Sequence, residues 1–92
     1  KGWVYYTNGA PGSISISYNV DSVTDDDGDG IFNIVWDTDF TGNYQTIDGS
    51  AAGSSVLNIS GVSNSQATII TRDSASGVAG DVSFSLSSMG DQ

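Results

Sequence analysis

Apolar residues in this chain recur at every second position in short runs, and the runs are broken about every ten residues by Gly, Asn, Asp and Ser. A period of two is that of a β-strand with one buried face. The pattern predicts strands at 2–7, 13–20, 31–37, 44–48, 56–60, 66–72 and 81–87, with turns or loops between them. In 13–20, Ile14, Ile16, Tyr18 and Val20 alternate with Ser13, Ser15, Ser17 and Asn19, so the apolar set is expected on one face. Val23 breaks that parity and predicts a bend or bulge near Asp21-Ser22. Phe32, Ile34 and Trp36, and later Val82, Phe84 and Leu86, are expected to point inward, and parity adds Tyr18 to the core. The expected fold is a single domain over residues 1–92, an all-β antiparallel sandwich of six to eight strands.

Composition agrees and narrows the function. Val and Ile each occur 8 times and Thr 7 times, against two Leu and no Glu, which favours strands over helices. The chain has 92 residues and a formal charge of −9, carried by eleven Asp against Lys1 and Arg72 alone. Two cations cannot neutralise a phosphate backbone, so no nucleic-acid partner is expected. No apolar run approaches the ~20 residues of a helical membrane span, and no membrane insertion is expected. Without His or Cys there is no His-based triad, no thiolate and no ordinary zinc site. With Lys in place of Met at position 1, a processed chain or a piece of a longer one is expected. Arg72 beside Asp73 predicts a structural ion pair.

One stretch carries possible chemistry. Asp25, Asp27, Asp29 and Gly30, in the run DDDGDG, match the opening positions of an EF-hand calcium loop. Asp at alternate positions gives a hard cation several oxygens from one turn. The match then ends, because Trp36 stands where a bidentate Glu is needed. Two readings stay open: calcium in another geometry at Asp25, Asp27 and Asp29, or a polar hairpin turn with no cofactor.

Nine aromatics exceed what a core this small requires. Trp3 with Tyr5, and Tyr6 alone, fall on opposite faces of the first strand. They are read either as subunit interface or as a platform on which a sugar ring stacks. Asp37 and Asp39 could pair as glycosidase carboxylates, but so small a domain leaves little room for a cleft, and no enzyme activity is expected.

The order of residues resembles a small β module of tailed-phage virion proteins. The resemblance rests on Trp3-Val4 with Asn8-Gly9, on the stretch from Ile14 to Asp25, on Gly30 to Ile34, on Asp39-Phe40 and on Asn43-Tyr44. The closing Asp81 to Leu86 is similar to that module's last strand, and the strand pattern is similar to H-type lectin domains. The resemblance implies a homotrimer on the virion surface, among other virion proteins, at a tail-fibre tip that contacts host-surface glycan. Loop residues Asp39, Phe40, Asn43 and Asp48 are then the expected contacts. Alternatives are a capsid decoration or assembly protein without host ligand, and a bacterial extracellular filament subunit or calcium-dependent adhesin.

Overall fold

The alternating runs become the strands of a two-layer sandwich. In the computed structural model, which describes residues 1–8, 12–26, 30–41 and 46–90 and only the backbone of Asp26, they are β1 (Gly2–Thr7), β2 (Ser13–Tyr18), β3 (Val20–Asp26), β4 (Ile31–Trp36), β5 (Thr46–Ala51), β6 (Ser55–Val62), β7 (Gln66–Asp73) and β8 (Phe84–Met89). One antiparallel sheet, A, has the order β2-β1-β8-β5; the other, B, has the order β3-β4-β7-β6. No helix is present among the described residues. The all-β sandwich expected from the periodicity is the observed fold.

Several boundaries differ from the expected ones. The segment 13–20 does not run straight. It stops at Tyr18, and the chain passes from sheet A to sheet B through Asn19 at a φ of 56°. Asn is among the residues that tolerate this left-handed conformation, and here its side-chain amide is anchored to the loop after β4. Its Nδ2 donates to the Thr38 carbonyl at 3.1 Å, and its Oδ1 accepts from the Thr38 amide at 2.6 Å. Beyond the corner, Val20–Asp26 is itself a strand, with a register shift between Val20 and Ser22 opposite Trp36 and Val35. The irregularity expected near Asp21-Ser22 is that bulge. The expected strand 44–48 continues to Ala51 as β5, since small residues at 49–51 still pair with β8, while its positions 44 and 45 lie outside the described residues. Asp81 and Val82 precede β8 instead of opening it.

A second bulge overturns the one-face reading of 13–20. Tyr5 pairs with Ile16 and Tyr6 with Ile14, so Ser15 is the extra residue. Ile14 therefore packs inward with Tyr6, while Ile16 and Tyr18 turn outward with Tyr5 and Trp3. Tyr18 is not a core residue.

The core lies between the sheets. Val4, Tyr6, Phe84 and Leu86 from sheet A meet Phe32, Ile34, Trp36, Ala67 and Ile69 from sheet B. Phe32 and Phe84 sit 5.0 Å apart by ring centroid, and Tyr6 lies 5.2 Å from Phe32 and 5.3 Å from Phe84. Phe40 closes one end, edge-on to Trp36 at 5.4 Å. Each such fully buried side chain contributes about 1.5–3 kcal/mol of transfer free energy.

Candidate functional site

The outer face of sheet A is assembled by register. One row across it reads Tyr18, Trp3, Ser87, Asp48; the next reads Ile16, Tyr5, Ser85, Ser50. The β2–β1 half is apolar and the β8–β5 half is small and polar. Trp3, Tyr5, Ile16 and Tyr18 are 36%, 48%, 60% and 55% exposed, far from the burial that parity alone assigns to Ile16 and Tyr18. Trp3 and Tyr18 lie nearly parallel, 18° apart, with ring centroids at 6.4 Å.

Between the two halves runs an open groove of about 430 Å³, lined by Trp3, Tyr5, Asp48, Ser50, Ser85 and Ser87 among others. Gly49, between Asp48 and Ser50, lies opposite Leu86, and a Cβ there would meet Leu86 Cδ1 at 2.9 Å on the inward side of the sheet. An aromatic wall beside hydroxyls and one carboxylate can stack on the C–H face of a ring while the polar side bonds its hydroxyls. Ser50 and Ser85 stand with their hydroxyl oxygens 3.3 Å apart. Among the described residues Asp48 is the one charged side chain lining the groove. A smaller hollow of about 280 Å³, formed by Tyr18, Asn19, Asp37 and Thr38, borders the aromatic half.

The expected site residues divide over this geometry. Asp48 is brought together with Trp3 and Tyr5, which sequence reasoning had assigned to different roles. Tyr6 faces the opposite way and belongs to the core, not to an interface. Phe40 is buried against Trp36 and presents no ring to a ligand. Asp39 is exposed in the loop after β4, away from the residues that line the groove. Asn43 lies outside the described residues. The residues that sequence reasoning missed are Tyr18, Ser50, Ser85 and Ser87. The cross-strand register that unites them is not written in any local motif.

Of the acidic stretch, the structure describes its two ends, Asp25 and Gly30, and the backbone of Asp26. Asp25 pairs in register with Phe32 at the end of β3, while Asp27 and Asp29 lie outside the described residues. Gly30, with φ of 86°, donates its amide to Asp81 Oδ1 at 2.7 Å, and its carbonyl accepts from the Thr71 amide at 2.8 Å. Thr71 is fully buried, and its hydroxyl donates to the Gly80 carbonyl at 2.6 Å. Asn8 reaches the same segment, its amide donating to Ser83 Oγ at 2.9 Å. Burial pushes the Tyr6 phenol above its ordinary 10.0, and the nearby Asp25 and Asp81 carboxylates push it the same way. Among the described residues no three acidic side chains converge on a point. What the geometry here establishes is a clamp that fixes the end of the turn.

The expected Arg72–Asp73 pair is replaced by three local bonds. Arg72 donates to the Gly77 carbonyl at 3.2 Å, and Asp73 Oδ1 accepts the Ala75 and Ser76 amides at 2.8 and 3.0 Å. Those amides hold the Asp73 carboxyl below its ordinary 3.8. Compared with known proteins, the chain matches no family model, no curated protein and no solved structure.

Proposed function

We propose that this chain is a non-enzymatic module of a phage virion appendage that holds a host-surface glycan on the outer face of sheet A. The observation that carries the binding reading is the aromatic ledge of Trp3, Tyr5 and Tyr18 set beside a groove lined by Ser50, Ser85, Ser87 and Asp48. The virion setting rests on the sequence resemblance. An open sheet face with one carboxylate and several hydroxyls among its described residues suits reversible stacking on a saccharide. The net charge of −9 and the Asp48 carboxylate favour neutral or amino sugars over anionic ones.

The test is a glycan array followed by titration calorimetry of the hits. Trp3→Ala is expected to weaken binding about tenfold or more, in keeping with the ~1.4 kcal/mol that a tenfold change represents. Since Trp3 is one-third exposed and Trp36 is buried, a ligand that changes the emission of Trp3 reports contact at this face. An array with no hit, or hits indifferent to Trp3→Ala, overturns the reading.

A second reading is a capsid decoration or assembly protein. It is favoured by the extent of the ledge, since Ile16 and Tyr18 carry apolar surface beyond the groove itself. It predicts that the same face is covered by another virion protein, and Ile16→Ser then removes incorporation into particles without affecting sugar binding.

A further inference from the structure

The β6 edge of sheet B differs from the other three edges of the sandwich. The sheets end at β2, β5, β3 and β6. Exposed edges invite pairing with another chain, and proteins blunt them with charge, with bulges or with shortness. β3 carries Asp21, Asp25 and Asp26, and β5 carries Asp48. β2 has no charge but is interrupted in mid-strand by the Ser15 bulge. β6 has eight residues against six in β2 and β5, and none of them is charged. Its one irregularity lies between Ile59 and Gly61 and leaves Ser55–Ile59 in unbroken register with β7. Val56, Ile59 and Val62 along it are 42%, 38% and 37% exposed.

Charge says what pairs there. Every residue from Gly49 to Thr71 is uncharged, in a chain whose net charge is −9. Two copies approaching through the β3 or β5 edge bring Asp against Asp, while the equally uncharged segment 2–20 offers as its edge only β2, which the Ser15 bulge interrupts. At β6 they bring neutral strand against neutral strand, with backbone groups and half-exposed Val and Ile available on both. We infer that β6 is a self-association edge, on which a second copy of this chain adds its own β6 antiparallel across Ser55–Ile59. The two-fold arrangement is self-complementary and closes at two copies, turning two four-stranded B sheets into one continuous sheet. This goes beyond the glycan reading and uses none of its residues. Five paired residues span about 17 Å, and the area is below that of a standard interface, so the association is a weak one of micromolar order.

The experiment is sedimentation velocity of the full chain from about 5 to 500 µM, a range that brackets a weak interface. Wild type is expected to shift from monomer to dimer across it, and to shift at lower concentration in high salt, where the mutual repulsion of the acidic chains is screened. Asn58→Asp adds a like charge beside Leu57, the residue at the two-fold centre, on an exposed side chain whose change leaves the core intact. Ala75→Asp adds the same charge in the exposed turn after β7. Asn58→Asp is expected to weaken dimerisation about tenfold or more and Ala75→Asp less than about threefold, since like charges within a few ångströms repel far more than distant screened ones. Hydrogen exchange of the 55–59 amides is expected to slow with protein concentration. A monomer throughout the range, equal effects of the two variants, a trimer, or concentration-independent exchange at 55–59 overturns the inference.

Discussion

Gly30 is where the backbone leaves least room. At φ of 86° it sits in the region that L side chains avoid, which by itself sets a cost of about 1–2 kcal/mol for Gly30→Ala. A Cβ built there lies 2.6 Å from the Thr71 carbonyl oxygen, 2.6 Å from the Gly80 nitrogen and 2.8 Å from the Gly80 oxygen. All three neighbours are backbone atoms, and Thr71 and Gly80 are bonded to each other through the Gly80 amide and the Thr71 hydroxyl. They cannot swing away as the tip of a side chain would, so overpacking adds about 1–3 kcal/mol. The expected loss is about 2–5 kcal/mol, or about 10–30 °C in Tm for a domain of this size. Gly53 provides the comparison. Its φ of 67° is also left-handed, but nothing lies within 4 Å of an added Cβ. Gly53→Ala should therefore show the conformational term alone, about 1–2 kcal/mol. The assay is thermal unfolding of both variants by far-ultraviolet circular dichroism, at one concentration so that association does not differ. Equal losses would refute the close contact between the β4 entry and the segment that leads into β8.

Three further perturbations probe the core and the titrating groups. Phe84→Ala removes the ring shared by Tyr6 and Phe32 and is expected to cost about 3–5 kcal/mol, measured as a fall in the denaturant midpoint together with loss of near-ultraviolet aromatic signal. The Asp73 carboxyl is held below its ordinary 3.8, so its stabilisation is present above that value and is lost as pH falls through the lower, folded value. Asp73→Ala should therefore lower Tm near neutral pH, with the difference from wild type vanishing in strong acid; a difference that persists there would sink the argument. The Tyr6 phenol is raised above its ordinary 10.0, so its contribution is present below that pH and is lost as pH rises through the folded value. Tyr6→Phe should shift alkaline unfolding to higher pH, and an unchanged or lower alkaline midpoint would contradict it.

How much of this was legible beforehand follows from what each feature depends on. The core positions Phe32, Ile34, Trp36, Phe84 and Leu86 were readable because a strand without bulges preserves parity from end to end. Val23 announced the bulge at Asp21 because it broke an alternation. Ser15 gave no such sign: Ile14, Ile16 and Tyr18 alternate perfectly in sequence, and only the pairing with β1 reveals the extra residue. The binding face was half visible. Trp3, Tyr5 and Asp48 were each noted, but their adjacency depends on β8 lying between β1 and β5, a pairing of strands far apart in the chain. Phe40 was misread as a contact because loop aromatics are usually judged by their surroundings in sequence. Here the loop folds back, its amide donating to the Asn64 carbonyl at 2.8 Å, and carries the ring under the sheet.

The Ser15 bulge yields the sharpest test of the binding face. With Tyr5 opposite Ile16 and Tyr6 opposite Ile14, removing Ser15 restores one-to-one pairing without turning any other side chain over. Ile14 stays inward, Ile16 and Tyr18 stay outward, and the stacking of Tyr18 on Trp3 is kept. What is lost is the exposed hydroxyl contact between Ser15 and Thr7 and the local twist of a bulged edge. Deletion of Ser15 is expected to fall within about 1 kcal/mol of wild type, the range of ordinary surface changes, and to keep whatever ligand the face holds. Deleting Ser85, in the regular middle of β8, should behave oppositely. There a one-residue slip sends either Phe84 or Leu86 to the outside and should cost at least about 2–5 kcal/mol, as for a lost core side chain. Thermal melts of the two deletions decide the matter. If loss of Ser15 unfolds the protein as loss of Ser85 does, then Ser15 is part of a regular strand, Ile16 and Tyr18 do not share a face with Tyr5 and Trp3, and the aromatic ledge does not exist.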